Sequence, residues 1–247
     1  MLLAACAAAA GLALAAAAQQ PGPADQSQHP EPAVPPESRA ARGPELSPAE
    51  RVRLDADLPW FRSVEDEAPL RGEAENPGEY QAYNYVLAFA DRLDPALMAG
   101  HSLKGVPYGN LVEPVRQDYQ FKLIRVEGWL RRLESIGPTK QLERADKIPT
   151  LYEGWIFPKE VFHPVAAVFT RLPEGIEPGR GPGREVNHYV AFDGYFFKVL
   201  HYKTGEHLGQ GKYRWRKAPL LLGKMPIPLP PPPSGPVLSP ELGLTLL

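Results

Sequence analysis

Two short segments, 129–132 and 213–215, place aromatic rings beside positively charged groups. A flat aromatic ring can stack on a base or a sugar, while a guanidinium group holds a neighbouring anion. This chemistry binds a ligand rather than transforming one. The residues that we predict to form the binding surface are Trp129, Arg131, Arg132, Tyr213, Arg214 and Trp215.

The sequence holds no motif typical of a catalytic centre. It lacks the Gly-x-Ser-x-Gly elbow, the glycine-rich phosphate loop, His-Glu-x-x-His and Cys-x-x-Cys. Cys6 is the only cysteine, and the six histidines show no zinc-ligand spacing. We therefore predict a protein that is not an enzyme, with no catalytic residue, no metal site and no cofactor.

Residues 45–105 are predicted to form a helical segment. Ser47, Pro48 and Glu50 have the spacing of a capping box that begins a short helix. Apolar side chains then recur every three or four residues over 79–98, which predicts a longer helix with one apolar face. Pro95 is expected to end that helix near Leu93 and to start a final turn.

Residues 106–224 are predicted to form five strands, over about 119–133, 151–157, 165–171, 186–203 and 212–222. In the first strand, alternation places Ile124, Val126 and Leu130 on the inner side. Gly194 is expected to bend the long fourth strand. The aromatic residues that we expect to fill the interior are Trp155, Phe157, Phe169, Phe192 and Phe196.

Five short strands with a long first and fourth member favour a small closed barrel of the oligonucleotide/oligosaccharide-binding (OB) type. The predicted fold class is therefore α+β: a short N-terminal helical segment followed by a five-stranded OB-like antiparallel β-barrel. Pro-rich flanks complete the chain, with a linker over 19–44 and a tail over 225–247, and both are predicted to be disordered.

Residues 1–18 are almost entirely apolar and are predicted to be a signal peptide or an N-terminal anchor. Cleavage, retention and lipidation at Cys6 are three open alternatives. Each places the chain outside the cytoplasm, in the periplasm or cell envelope, with membrane contact through this N-terminal segment.

Several sequence blocks occur in a fixed order: VEGWLRRL from 126, LYEGWI from 151, VFTRLPEGI from 168, VAFDGYFFK from 190 and APLLLG from 218. Over about 79–224 this series resembles a family of uncharacterised envelope proteins from planctomycete-type bacteria. The resemblance implies an exported or membrane-anchored protein with an OB-like barrel after a helical pair. It implies no activity, substrate or catalytic residue.

Charge is distributed unevenly along the chain. Residues 19–118 hold 9 Lys/Arg and 17 Asp/Glu, whereas residues 119–218 hold 17 Lys/Arg and 11 Asp/Glu. Either the basic barrel binds an anionic partner, or the acidic helices pack against it and cancel its field. We predict a non-catalytic binding or scaffold protein whose partner is an envelope protein or polymer. The alternative is an OB protein that binds single-stranded nucleic acid or an oligosaccharide, with nucleic acid the less favoured ligand.

Overall fold

The computed structural model describes residues 46–159, 161, 163–179, 185–207 and 213–233, without the side chains of 203–207 and 213. The predicted signal peptide or anchor, the 19–44 linker and the tail beyond 233 lie outside the described residues. Those predictions stay predictions.

The helices of the described chain begin at the signals that the sequence carries. The Ser47 hydroxyl accepts a hydrogen bond from the Glu50 amide, and the Glu50 carboxylate accepts one from the Ser47 amide at 2.8 Å, which confirms the capping box. The long helix ends at Arg92, and Asp94 caps a new helix that starts at Pro95, as predicted. The α-helices are α1 (Pro48–Arg51), α2 (Pro77–Arg92), α3 (Pro95–His101), α4 (Tyr108–Val112) and α5 (Lys140–Arg144), with 3-10 helices at Pro59–Ser63 and Pro114–Asp118.

Five strands close into a ring in the order β1-β2-β3-β5-β4. Their bounds are β1 (Leu123–Ile136), β2 (Leu151–Pro158), β3 (Val165–Phe169), β4 (Glu185–His207) and β5 (Tyr213–Pro228). The predicted mixture of helices with a five-stranded closed sheet is confirmed. Closure pairs every strand with two neighbours, so the sheet has no free edge along its paired length.

The prediction of a wholly antiparallel sheet is wrong at one pair of neighbours. Strands β3 and β5 run parallel, with Ala166 opposite Leu220 and Phe169 opposite Gly223. The other four pairs are antiparallel. Strand direction alternates along the chain, so β3 and β5, which are separated by β4, run in the same direction. Closure of the ring then places these two strands side by side.

Strand β5 continues past residue 224, where the sequence places the start of the Pro-rich tail. Pro226 pairs with Phe192 and Pro228 with Val190, and the Leu229 amide donates to the Tyr189 carbonyl at 2.9 Å. Strand β3 pairs only with residues 220–223 of β5, so residues 225–228 have β4 as their one strand neighbour. Proline, which lacks an amide proton, is compatible with such a one-sided position.

The interior of the ring is filled mainly by alternate side chains of the strands. Ile124, Leu130 and Leu133 are all fully buried in this interior cluster. Leu130 and Leu133 face the same side because a bulge between Leu130 and Arg132 reverses the alternation of β1. The predicted irregularity at Gly194 is also found, as a register shift between Phe192 and Gly194.

Of the five aromatic residues predicted to fill the interior, three do so. Phe169, Phe192 and Phe196 are buried in the interior cluster. Trp155 packs instead on the outer side of the sheet, where its ring lies 4.7 Å from that of Tyr202. Phe157 is half-buried and belongs to neither buried cluster, so the prediction is wrong for these two residues.

A second buried cluster joins helix α2 to the outer side of β3, β4 and β5. Val86 and Leu87 of α2 share this cluster with Val168 of β3, Phe197 of β4 and Leu222 of β5. Each buried aliphatic side chain contributes on the order of 1.5–3 kcal/mol. This part of the sheet is therefore covered by the helical segment.

A buried ion pair reinforces the contact between α2 and β4. Lys198 Nζ lies 2.8 Å from a carboxylate oxygen of Glu79, and both side chains are 0% exposed. The Glu79 carboxylate also accepts hydrogen bonds from the amides of Glu65 and Arg71, at 2.9 and 3.0 Å. One pair of charges thus fixes both the start of α2 and the chain that leads into it.

Candidate ligand-binding surface

The outer side of β1 and β4 carries an aromatic and basic surface in which two half-buried rings lie beside two exposed polar side chains. We call it the Trp129 surface, and its residues are Trp129, Arg131, Asn187 and Tyr189. Trp129 and Tyr189 are direct cross-strand partners, and their rings meet edge to face at 5.5 Å. The Arg131 guanidinium lies 4.8 Å from the centre of the Trp129 ring. Such a cation–π contact keeps a positive charge beside a flat ring, as the sequence predicts.

The β1 bulge explains how Arg131 reaches this position. Leu130 and Arg132 have successive partners on β2, so Arg131 is the extra residue between them. Its guanidinium donates a hydrogen bond to the Asn187 side chain on β4. Bulges commonly re-aim a side chain in this way, and here the result is a cation held between two strands.

Arg132 lies next to this surface in sequence but its charge is already paired. Its guanidinium forms a 2.8 Å ion pair with Glu134, whose side chain is 11% exposed. Because Glu134 compensates its charge, Arg132 has less charge to offer a ligand than Arg131 has. Arg132 therefore contributes less to the candidate surface than the sequence suggests.

The second predicted segment lies near the far end of β4. Trp215 is 48% exposed, its ring lies 5.6 Å from that of His201, and Arg214 is exposed beside it. The backbone of Tyr213 pairs with His207, while the Tyr213 side chain lies outside the described part of the structure. Arg214, Trp215 and Arg216 each have an interaction partner.

The structure separates the two predicted segments along β4. Trp129 pairs with Tyr189 near the start of that strand, whereas Trp215 pairs with Lys203 near its end. At about 3.3 Å per residue, the intervening strand has a contour length on the order of 40 Å. The six predicted residues therefore form two surfaces.

A groove adjoins the Trp129 surface and shares Tyr189 with it. The groove encloses about 400 Å³ between strand β1, the end of β2 and the segment that contains α4. Lys104, Arg125 and Lys159 bring positive charge to its lining, and Glu127 brings the negative charge. We call it the lysine-rimmed groove, because Lys104 and Lys159 are both exposed.

The Arg125 guanidinium forms ion pairs with two neighbouring carboxylates. Its guanidinium lies 2.9 Å from Asp193 and 2.8 Å from Glu127, and Ser102 donates to the other oxygen of Asp193 at 2.6 Å. Burial alone would lower the pKa of Arg125, but the hydrogen bond to Glu127 and the charge of Asp193 raise it. Arg125 thus stays charged and organises the groove wall.

Tyr108 of α4 forms part of the apolar lining. Its ring stacks on His163 at 6.0 Å, and its hydroxyl lies 3.5 Å from the Pro164 carbonyl oxygen. Burial, with a smaller contribution from Tyr202, raises the pKa of Tyr108 to about 12. This phenol is therefore neutral over the physiological range and acts through its ring.

Four residues of the Trp129 surface and the groove were not predicted from the sequence: Tyr189, Asn187, Lys104 and Lys159. Tyr189 and Asn187 lie inside the predicted fourth strand, but only the β1–β4 register shows that they face Trp129 and Arg131. The alternation of side chains along β4 could have indicated that Tyr189 lies on the outer side of the sheet. No local pattern links Lys104 to Lys159, because the two reach the groove from segments that are distant in sequence.

Within the described ranges, no group of three or more His, Cys, Asp or Glu side chains is arranged to hold a metal ion. In the same part of the chain, no helix has both the length and the apolar character needed to cross a membrane. Comparisons with protein-family models, with curated proteins and with solved structures found no match to this chain.

Proposed function

We propose that this protein is an exported, non-catalytic binding protein whose OB-like barrel binds an anionic envelope polymer on the Trp129 surface. The observation that carries the proposal is the half-buried Trp129–Tyr189 pair, with the exposed Arg131 held over the Trp129 ring. Flat rings beside a fixed cation suit a chain of sugar rings that carries negative charges. Export and the envelope location rest on the apolar residues 1–18 and on the family resemblance.

The strand order supports the OB-like assignment. A five-stranded ring with long β1 and β4 strands and a parallel β3–β5 pair is the arrangement of OB folds. OB proteins commonly bind ligands on the face of their second and third strands. In this chain, Ala166 and Val168 of β3 are buried in the cluster that includes α2, so the proposed site is on β1 and β4 instead.

Direct binding to an acidic oligosaccharide tests the proposal. A polyuronate hexasaccharide, titrated at low salt and followed by fluorescence anisotropy, is expected to bind the full chain and to be released as salt is added. Trp129→Ala should weaken this binding about tenfold, because stacking on one aromatic ring contributes about 1–3 kcal/mol. Arg131→Gln should reduce both the affinity and its salt dependence.

Trp215→Ala is the matched control, since it removes an exposed tryptophan from the other predicted segment. It should leave hexasaccharide binding unchanged. Absence of binding at low salt, or an equal loss in both tryptophan variants, would overturn the assignment to the Trp129 surface. Binding of an oligothymidylate but not of the hexasaccharide would replace the envelope polymer with single-stranded nucleic acid.

A further inference from the structure

We propose that the lysine-rimmed groove is a separate site that binds a single-chain amphiphilic anion, an alkyl chain ending in a carboxylate or a phosphate. The inference goes beyond polymer binding and rests on the chemistry of the groove lining. Its apolar residues include Val106, Tyr108, Leu111, Val126, Val161 and Val165.

The apolar part of the groove suits an alkyl chain. Leu111 and Val165 are each 1% exposed and belong to the interior cluster, while Val106, Tyr108 and Val126 pack against that cluster. The floor is therefore fixed by the barrel core. A volume of about 400 Å³ lies within the range of about 300–1,000 Å³ that is usual for small-ligand sites.

The polar part of the groove suits an anionic end group. Arg125 pairs with both Glu127 and Asp193, so these three side chains together carry one negative charge and offer no cation to a ligand. Within the described part of the chain, neither Lys104 nor Lys159 has a carboxylate at ion-pair distance. Two ammonium groups at the rim of an apolar groove thus offer charge complementarity to one carboxylate or phosphate.

A neutral sugar fits this groove less well than an amphiphile does. Sugars need several hydrogen-bonding partners, and the Tyr108 hydroxyl already faces the Pro164 carbonyl. The carboxylate of Glu127 is held by Arg125. Most of the remaining lining is aliphatic or proline, which favours methylene groups over hydroxyl groups.

Calorimetric titration of the full chain with five probes tests both the alkyl chain and the anionic end group of the ligand. Octanoate and octyl phosphate should bind, whereas octanol and inorganic phosphate should bind at least tenfold more weakly. Hexanoate should bind more weakly than octanoate by about tenfold or more, because each buried methylene contributes about fourfold in affinity. A preference for octyl phosphate would indicate a lipid headgroup, and a preference for octanoate a free fatty acid.

Paired substitutions locate the site. The double variant Lys104→Gln with Lys159→Gln should weaken octanoate binding about tenfold, while Lys140→Gln, an exposed lysine on α5, should not change it. Val161→Glu, which adds a carboxylate to the groove, should also abolish octanoate binding. The thermal unfolding midpoint of each variant shows whether it is folded.

Equal affinity for octanol and octanoate, equal affinity for inorganic phosphate and octanoate, or an unchanged double variant would overturn the proposal. Trp129 does not line the groove, so Trp129→Ala should keep octanoate binding while it loses the hexasaccharide. Failure of one proposal is therefore distinguishable from failure of the other.

Discussion

Two outer faces of one closed sheet differ in what covers them. The face of β3 and β5 packs against α2, with Val86, Leu87 and Val168 in one buried cluster. The open face, the part of the β1–β4 surface around the Trp129–Tyr189 pair, instead carries half-buried and exposed side chains, among them Trp129 and Arg131. Aromatic and apolar residues on the outside of the sheet therefore contribute to stability where α2 covers them, and they stay accessible where no helix covers them.

The buried ion pair on the covered side should give the largest effect on stability. Lys198→Met leaves the Glu79 charge buried without its partner, which costs about 3–5 kcal/mol in the free energy of unfolding. Urea unfolding measures this loss. Glu79→Gln in the same background should recover part of it, because the uncompensated charge is gone.

Lys217→Met is the matched control for that prediction. Lys217 pairs with Glu67, but both side chains are substantially exposed. Its loss should cost less than about 1 kcal/mol. Similar losses for Lys198→Met and Lys217→Met would mean that α2 is not fixed to β4 through a desolvated pair.

Truncation of an apolar side chain should affect the two faces differently. Leu87→Ala on α2 removes a fully buried side chain and should lower the free energy of unfolding by about 2–5 kcal/mol. Trp129→Ala removes a half-buried ring from the open face and should lower it by about 1 kcal/mol. Chemical denaturation of both variants measures the contrast, and equal values would remove the basis for calling one face structural.

Strand β1 also contains, next to Trp129, a position that tolerates no side chain. A Cβ atom at Gly128 would lie 2.4 Å from the Phe157 carbonyl oxygen, which belongs to the backbone of β2. Gly128→Ala should therefore force β1 and β2 apart and lower stability by about 1–3 kcal/mol. An unchanged thermal midpoint would show that the two strands do not approach so closely beside Trp129. Gly137→Ala, which meets no atom within 4 Å, is the control.

The smallest expected effect is a change in acid stability at the end of α2. Burial alone would raise the pKa of Asp91, but hydrogen bonds from Arg171 and Thr170 outweigh it and lower that pKa. A depressed carboxyl pKa stabilises the fold above the unfolded value of about 3.9, and this contribution is lost as the pH falls below it. Asp91→Asn should flatten the acid side of a plot of unfolding midpoint against pH between about pH 5 and 2. A wild-type slope retained in this variant would exclude Asp91 as its source.

Much of the local structure could be predicted because its causes are local. Ser47 and Glu50 cap one helix, Asp94 and Pro95 divide another, and alternation over Ile124, Val126 and Leu130 gives the inner side of β1. Each of these features depends on residues within one turn or one strand. Their physical signals are present in the sequence itself.

The features that were missed depend on pairing between distant segments. The parallel β3–β5 pair follows from ring closure, which no single strand encodes. Trp129 and Trp215 have similar neighbours in sequence, yet β4 holds them near opposite ends of its length. Tyr189 belongs to the Trp129 surface only because the register of β1 and β4 pairs it with Trp129. Pro226 and Pro228 resemble a tail in the sequence, because their one-sided pairing with β4 is a property of the whole sheet.

The parallel β3–β5 pair also sets when the protein can fold. Along the chain, α2 and the β1–β2–β3 meander come first, but the ring stays open until β5 pairs with β3 and β4. Until then Phe169 and Phe192 remain in contact with water, and the loop between β3 and β5 must close against a substantial entropy cost. Ring closure by β5 is therefore expected to be a late and slow step of folding, with an open sheet that is prone to aggregation until that strand has paired.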